Sequence, residues 1–466
     1  IYLLSFVLVF KRKMFCPRWV ISRVDVLLGL GILLYFALVY QIFPIVIEAG
    51  LLLGILFFVC LYCQHEIYRS KPTDSNDLTF FYFVIALGGC AGGIVTAWIL
   101  PLISSSLVEF IFGLFLIALT RSIGKRERIL TLPNIVFPLI LLNILMWAPR
   151  LALKLNYFHF AGLLVVIIVL FILMDRNRTT TLAALGLIVV FLFRIEPQWL
   201  KLNYVYSHRN YYGLTRILEQ QNIRFLLHGT TIHGAQITTK RGSFLPLTYY
   251  TPNSPAAEIL INDKNLKDVA IIGLGTGALS VYLEKNQRLD YYEIDPDIVE
   301  IAQQFFTYLS MAKSPVEFIV GDARQSLASL PNKKYDLIII DAFSGDSIPT
   351  HLLTAEALEL YRRHLTAQGM LLFHVTNRYI HVAHPLFKTA FSQGGLVGFK
   401  RTLDNVFKTF TSDWVLVTWS SKKFQHTAQE FNWMVVNPKA YDHLRAWSDQ
   451  YSNIIPFIKF PLLLKM

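Results

Sequence analysis

Four short segments in the second half of this chain carry side chains that could do chemistry together. Gly273-Leu274-Gly275-Thr276-Gly277 closes an apolar run. Glycines at such a turn let the backbone approach a ligand without a Cβ in the way. Next, Tyr291, Glu293 and Asp295 alternate, which in a strand puts both acids on one face near its carboxyl end. They stand 16 and 18 residues past Gly277, where an acid can accept hydrogen bonds from ribose hydroxyls. Gly321-Asp322-Ala323-Arg324 offers a carboxylate for an adenine amino group, and Asp341-Ala342-Phe343-Ser344-Gly345-Asp346 adds two more acids. Any one of these could cap a helix or close a turn. Four in register line a cleft at the edge where open α/β sheets bind ligands, and the chemistry is recognition of an adenosyl compound.

The elements that must hold these groups follow from hydrophobic periodicity. Apolar runs at 269–275, 289–295, 316–322, 335–343 and 369–375 read as buried strands, 296–309 and 354–365 as helices between them, and 414–420 as a late strand. Strand and helix alternating in this way predict an α/β sheet, mainly parallel. Residues 200–265, with HGTTIHGAQ and LTYY, read as short strands and turns.

The first half has a different texture. The chain of 466 residues is 54% hydrophobic and 16% charged, with mean hydropathy +0.47. Those values exclude an ordinary soluble protein, a disordered chain and a collagen-like fibre. Residues 1–199 hold 16 Lys+Arg and 9 Asp+Glu, and residues 200–466 hold 27 and 22. The net charge of +12 is therefore shared as +7 and +5, with no basic stripe suited to nucleic acid. Apolar stretches at 1–10, 24–42, 46–64, 78–100, 104–120, 133–149, 158–174 and 180–193 are candidate membrane spans, the first truncated and not a signal peptide. Thirteen cations, from Lys11-Arg12-Lys13 to Arg178, fall on one face if every span crosses, against Arg150 and Lys154 on the other. The rich face belongs in the cytoplasm; the side on which residue 200 onward lies depends on whether every late span crosses. The predicted fold class is an α-helical transmembrane bundle followed by an α/β Rossmann-like, methyltransferase-type domain with a small N-terminal β-rich subdomain. The divisions expected are 1–199, 200–265, 266–425 and a C-terminal extension, 426–466.

With those motifs in view, the soluble half resembles the spermidine synthase (polyamine aminopropyltransferase) family over about residues 205–420. The whole layout is similar to bacterial membrane-fused spermidine synthase-like proteins, through FYFVIALGGCAGG, HGTTIHGAQ, LTYY and DAFSGDSIP. The resemblance implies a multi-pass protein of the bacterial inner membrane. It also implies an aminopropyl transferase in polyamine biosynthesis that uses decarboxylated S-adenosylmethionine, with no metal. By that resemblance Gly273, Gly275, Gly277, Glu293, Asp322, Ala323 and Gln236 would hold the donor, Glu293 at the ribose and Asp322 at the adenine. Asp341 would take the proton of an attacking amine with Tyr249 beside it, and Asp346 and Tyr250 would hold the small-molecule amine. The chain departs from the family pattern at Thr276, where an Asp usually binds the donor's amine, at Tyr250-Thr251, where Gln or Glu usually follows the Tyr, and in a longer fourth-strand motif.

Other residues read more plainly. His228 and His233, five apart, suit turn or cleft-wall positions better than a metal, and His351 and His374 suit packing or helix ends better than catalysis. Tyr204, Tyr206, Tyr211 and Tyr212 fit packing of the small sheet. Cys60 and Cys63 lack the further ligands zinc needs. Gly88-Gly89 and Gly92-Gly93 suit close helix packing in lipid, and Glu48 and Glu109 edge apolar runs. Two other functions compete: a methyltransferase using S-adenosylmethionine itself, which Thr276 favours, and a non-catalytic membrane assembly or transport component. The lipid bilayer and an amine are the expected partners, with homo-oligomer and membrane complex both open.

Overall fold

The computed structural model describes residues 1–11, 15–39, 45–103, 109–122, 204–229, 231–239, 242–342, 349–402 and 410–459. The expected spans at 133–149, 158–174 and 180–193, Asp346, and the tail beyond 459 lie outside the described residues. The chain divides into two compact units, Ile1–Leu202 with Pro461–Met466, and Asn203–Phe460.

In the first unit, helices Tyr2–Phe10 and Val24–Val39 pack along the 25-residue helix Ile45–Arg69. Phe10 meets Tyr68 edge to face with ring centres 5.3 Å apart, and Glu48 is buried in that long helix's first turn. The helix Ser75–Ile94 is capped by Asp74, whose side chain accepts from Asn76 N–H at 3.0 Å. It then widens into a π turn at Val95–Ile99. Pro101 has no N–H to donate and its ring crowds the carbonyl four residues back, which accounts for the wider turn there. Two helices, Ile47–Arg69 and Ser75–Leu102, are long and apolar enough to cross a membrane. Two of the expected spans, 46–64 and 78–100, thus fall on helices of sufficient length. No described residue stands within 4 Å of a Cβ placed at Gly88, Gly89, Gly92 or Gly93, so the small-residue face has no packing partner among them.

The second unit begins with an antiparallel sheet of β1 (Tyr204–Asn210), β2 (Gly213–Gln220), β3 (Ile223–His228) and β4 (Thr231–Ile237), in chain order. Gln221 and Asn222 join β2 to β3 with φ of 50° and 61°, the two positive values that let a two-residue turn follow the strand twist. The main sheet contains β5 (Asp268–Ile272), β6 (Arg288–Glu293), β7 (Val316–Val320), β8 (Tyr335–Ile340), β9 (Leu365–His374), β10 (Leu396–Thr402), β11 (Ser412–Thr418) and β12 (Met434–Val435). Its order is β12-β10-β11-β9-β8-β5-β6-β7. The five strands from β9 to β7 run parallel, and β11, β10 and β12 are joined by antiparallel pairing, each to its neighbour.

Alternation along the strands builds a core on each face. Ile271, Leu289, Tyr291 and Ile339 enter one, and Ala270, Ile272, Ile338 and Ile340 the other. Helix Pro255–Asn262, which the β-rich reading of 200–265 passes over, places Ala256, Ile259 and Leu260 in the main sheet's core. β12, beyond residue 425, likewise pairs with β10. The glycine turn leads into a five-residue 3-10 helix, Ala278–Tyr282.

Candidate active site

Strand order reverses at β5, with β6 and β7 on one side and β8 and β9 on the other, the switch point at which open α/β sheets leave a crevice. A cavity of about 230 Å³ lies there, outside the carboxyl ends of β5, β6, β7 and β8. Gly273, at the end of β5, has φ +98°, and a Cβ there would come within 2.4 Å of the Asp341 carbonyl oxygen. Only glycine lets β5 and the end of β8 come this close while leaving the cavity floor open. Gly275 and Gly277 also have positive φ, 54° and 74°.

Glu293, the last residue of β6, lines this cavity. Its carboxylate accepts from Leu274 N–H at 2.8 Å and Asp295 N–H at 3.0 Å. Burial pushes its carboxyl above the ordinary value, and the two backbone donors partly oppose that rise. Asp295 lies past the strand end, where its side chain caps helix Pro296–Phe305 and accepts from Asn210 Nδ2 at 2.8 Å. That cap ties β1 to the cavity wall. Asp322 caps helix Ala323–Ala328 through Gln325 N–H at 3.0 Å, and His351 Nε2 stands 3.3 Å from its other oxygen.

Asp341 occupies the other part of the wall, one step beyond Ile340, which pairs in register with Phe373. It is therefore beside His374, whose Nδ1 is 2.7 Å from Asp341 Oδ1. The Tyr250 hydroxyl also bonds to Asp341. Burial, then the Asp341 carboxylate, hold that hydroxyl well above the usual phenol range, so Tyr250 is a neutral donor. The Tyr249 ring centre is 5.2 Å from that of His374.

Gly273, Gly275, Glu293, Asp322, Ala323, Asp341 and Tyr250 thus line one cavity. Thr276 and Gln236 do not line it. The Gln236 amide is consumed by Ser243 O and Thr307 Oγ1, each at 2.7 Å, and by Thr307 N–H at 3.0 Å, so it fastens β4 to the main domain. Gly277 meets Leu309 instead. His228, His233 and His351 are cavity-wall residues. His374, expected in a packing role, is bonded to Asp341; its position at the end of the next parallel strand is the feature that could have revealed this. Among the described residues no group of three or more His, Cys, Asp or Glu could hold a metal.

The fold is a Rossmann-like α/β domain with a mixed sheet. Residues 258–430 match the spermine/spermidine synthase domain family. It is 37% identical over 120 residues to a polyamine aminopropyltransferase of Vibrio vulnificus, covering 25% of this chain and 39% of that protein. It is 27% identical over 172 residues to a protein of Bifidobacterium longum named a probable polyamine aminopropyl transferase, covering 36% of each. The chain thus spans about two-fifths of the length of these relatives. The spermidine synthase of Thermotoga maritima is structurally similar at 16% identity and a TM-score of 0.37, over 54% of this chain and 83% of that one.

Proposed function

We propose that this protein is a spermidine synthase-like aminopropyltransferase, moving an aminopropyl group from decarboxylated S-adenosylmethionine to a polyamine-type amine. The observation that carries the reading is the convergence of Glu293, Asp322 and Asp341 on one cavity floored by a glycine turn. Glu293 would hold the ribose hydroxyls and Asp322 the adenine amino group. An alkylammonium, with a pKa of about 10, arrives protonated, and the Asp341 carboxylate would attract it and accept its proton. The freed amine nitrogen would then bond to the carbon carried by the sulfonium. The carbon–sulfur bond breaks, and its electron pair stays on sulfur as a neutral thioether. Tyr249 and Tyr250 would frame the attacking amine.

Attachment to a membrane through the N-terminal helices is part of this reading. It is supported by Ile47–Arg69 and Ser75–Leu102 and by the apolar composition of residues 1–199. Its finer form is a multi-pass arrangement in the bacterial inner membrane.

A second reading, a methyltransferase using S-adenosylmethionine, is favoured by Thr276. It is buried under Gly234, where a Cβ would come within 2.7 Å of it, and so offers the cavity no carboxylate for the donor's amine. Calorimetry of the detergent-solubilised full chain with both donors and their thioether products separates the two. Binding of the decarboxylated donor, and turnover falling by about 10²–10⁴-fold in Asp341→Asn at unchanged donor affinity, support the first reading. Preference for S-adenosylmethionine supports the second, and binding of neither leaves a non-catalytic membrane component.

A further inference from the structure

We propose that His374 is the positioning residue of Asp341: as a neutral imidazole, its Nδ1–H pins one carboxylate oxygen and holds Asp341 ready to take a proton at the cavity. The proposal rests on the aminopropyl-transfer reading for the task of Asp341, while the relay geometry stands independently of it.

The ring sits behind Asp341, buried and outside the cavity wall. Trp414, on the neighbouring strand β11, stacks on it with centres 4.5 Å apart and planes 12° from parallel. Register fixes this, because Trp414 pairs directly with His374. Only rotation about the ring's own axis is left, and two hydrogen bonds remove that: Nδ1 to Asp341 Oδ1 and Nε2 to Thr376 Oγ1, both 2.7 Å.

The Asp341 carboxylate only accepts, so its 2.7 Å bond to His374 needs the proton on Nδ1. Asp413 N–H donates to Thr376 Oγ1 at 2.8 Å. The single Thr376 hydroxyl proton is left to donate, and the acceptor it faces among the described residues is His374 Nε2. Nε2 is then an acceptor, so the neutral ring carries its proton on Nδ1, directed at Asp341. Tyr250 supplies a second donor to the same carboxylate. Asp341 is thereby held by two donors from the protein, with lone pairs left for an incoming ammonium. A backbone N–H on β11 thus orients the carboxylate through two side chains.

Two measurements test this. In steady-state transfer by the full-length protein, His374→Phe keeps a ring against Trp414 but removes the donor. It should lower kcat by about 100-fold, with donor affinity within about twofold of wild type. His374→Asn, whose amide N–H can replace Nδ1–H, should restore kcat to within about tenfold of wild type. Unchanged turnover in His374→Phe, or parallel loss of donor binding, overturns the proposal. Independently of activity, nitrogen-15 NMR of histidine-labelled protein, with His374→Asn assigning the resonance, should show His374 protonated on Nδ1 at neutral pH. Thr376→Val should convert it to a tautomer mixture. A proton on Nε2 in the wild type overturns the relay. If the wild-type protein transfers no group, the proposed function falls, and this spectrum still decides the relay.

Discussion

Glu293 and His233 face the same cavity, and burial drives both towards their neutral forms. In Glu293 two backbone donors oppose the rise. In His233 the neighbouring His228 and His374 add to burial, and its pKa falls to about 3. His233 Nε2 has no hydrogen-bond partner among the described residues, so the folded protein offers its proton no compensation. Unfolded, the same ring titrates near the ordinary 6.5. Between those values the unfolded chain binds more protons, and stability drops as pH falls from about 6.5 towards 3. The share from this residue is about 2 kcal/mol between pH 6.5 and 5. In His233→Phe the decline of Tm between pH 7 and pH 5 should be visibly shallower than in wild type; equal slopes would assign the acid sensitivity elsewhere. At this scale Glu293, Asp322 and Asp341 were legible because each directly follows or ends an apolar run. The bond from His374 to Asp341 was not, since apolar neighbours on both sides make it resemble core. Gln236 was read towards the ligand, yet its partners Ser243 and Thr307 come from segments whose proximity only folding creates.

The glycine turn shows how elements constrain chemistry. Gly273 accepts φ +98° with the Asp341 carbonyl where a Cβ would sit, so Gly273→Ala must displace either the end of β5 or that of β8. The expected outcome is a loss of about 1–3 kcal/mol of stability with loss of donor binding, read by thermal melting and calorimetry on the same sample. Retained binding would mean that the two strand ends can separate without disturbing the cavity. Strands β5 to β8 were legible from short apolar runs, because parallel strands covered on both faces are apolar throughout. The reversed direction of β11 was not, because apolar content is the same for either direction and pairing depends on residues distant in sequence. Helix Pro255–Asn262 carries the Ser254 cap and Pro255 start typical of a helix, and that information was available in its residues.

Across the whole molecule, the segment beyond β11 does more than trail from the domain. Arg324, next to the cavity residue Ala323, forks onto both Asp449 oxygens at 2.8 and 2.9 Å, and Thr354 bonds the same carboxylate at 2.8 Å. Trp447 is buried in the same core as Phe373 and Val415, with its ring centre 6.1 Å from that of Phe457. The C-terminal segment thereby braces the wall that carries Asp322 and His351. In the other unit, Ser75–Ile94 is apolar and buries no side chain among the described residues, which a lipid environment would accommodate. The full chain should accordingly remain with the membrane fraction after an alkaline carbonate wash and require detergent for release. Release into the supernatant would argue against membrane integration.

Taken by itself, the amino-acid order determined the split between an apolar first half and an α/β second half, the places of the main parallel strands along the chain, and the acids at their ends. These are local properties, set by the period of apolar residues and by which residue follows each strand. Tertiary structure alone decided that Thr276 turns under Gly234, that Gln236 becomes a fastener, and that Asp341 gains His374 and Tyr250. The physical reason is that a side chain's hydrogen-bond partners and its burial depend on neighbours supplied by other strands.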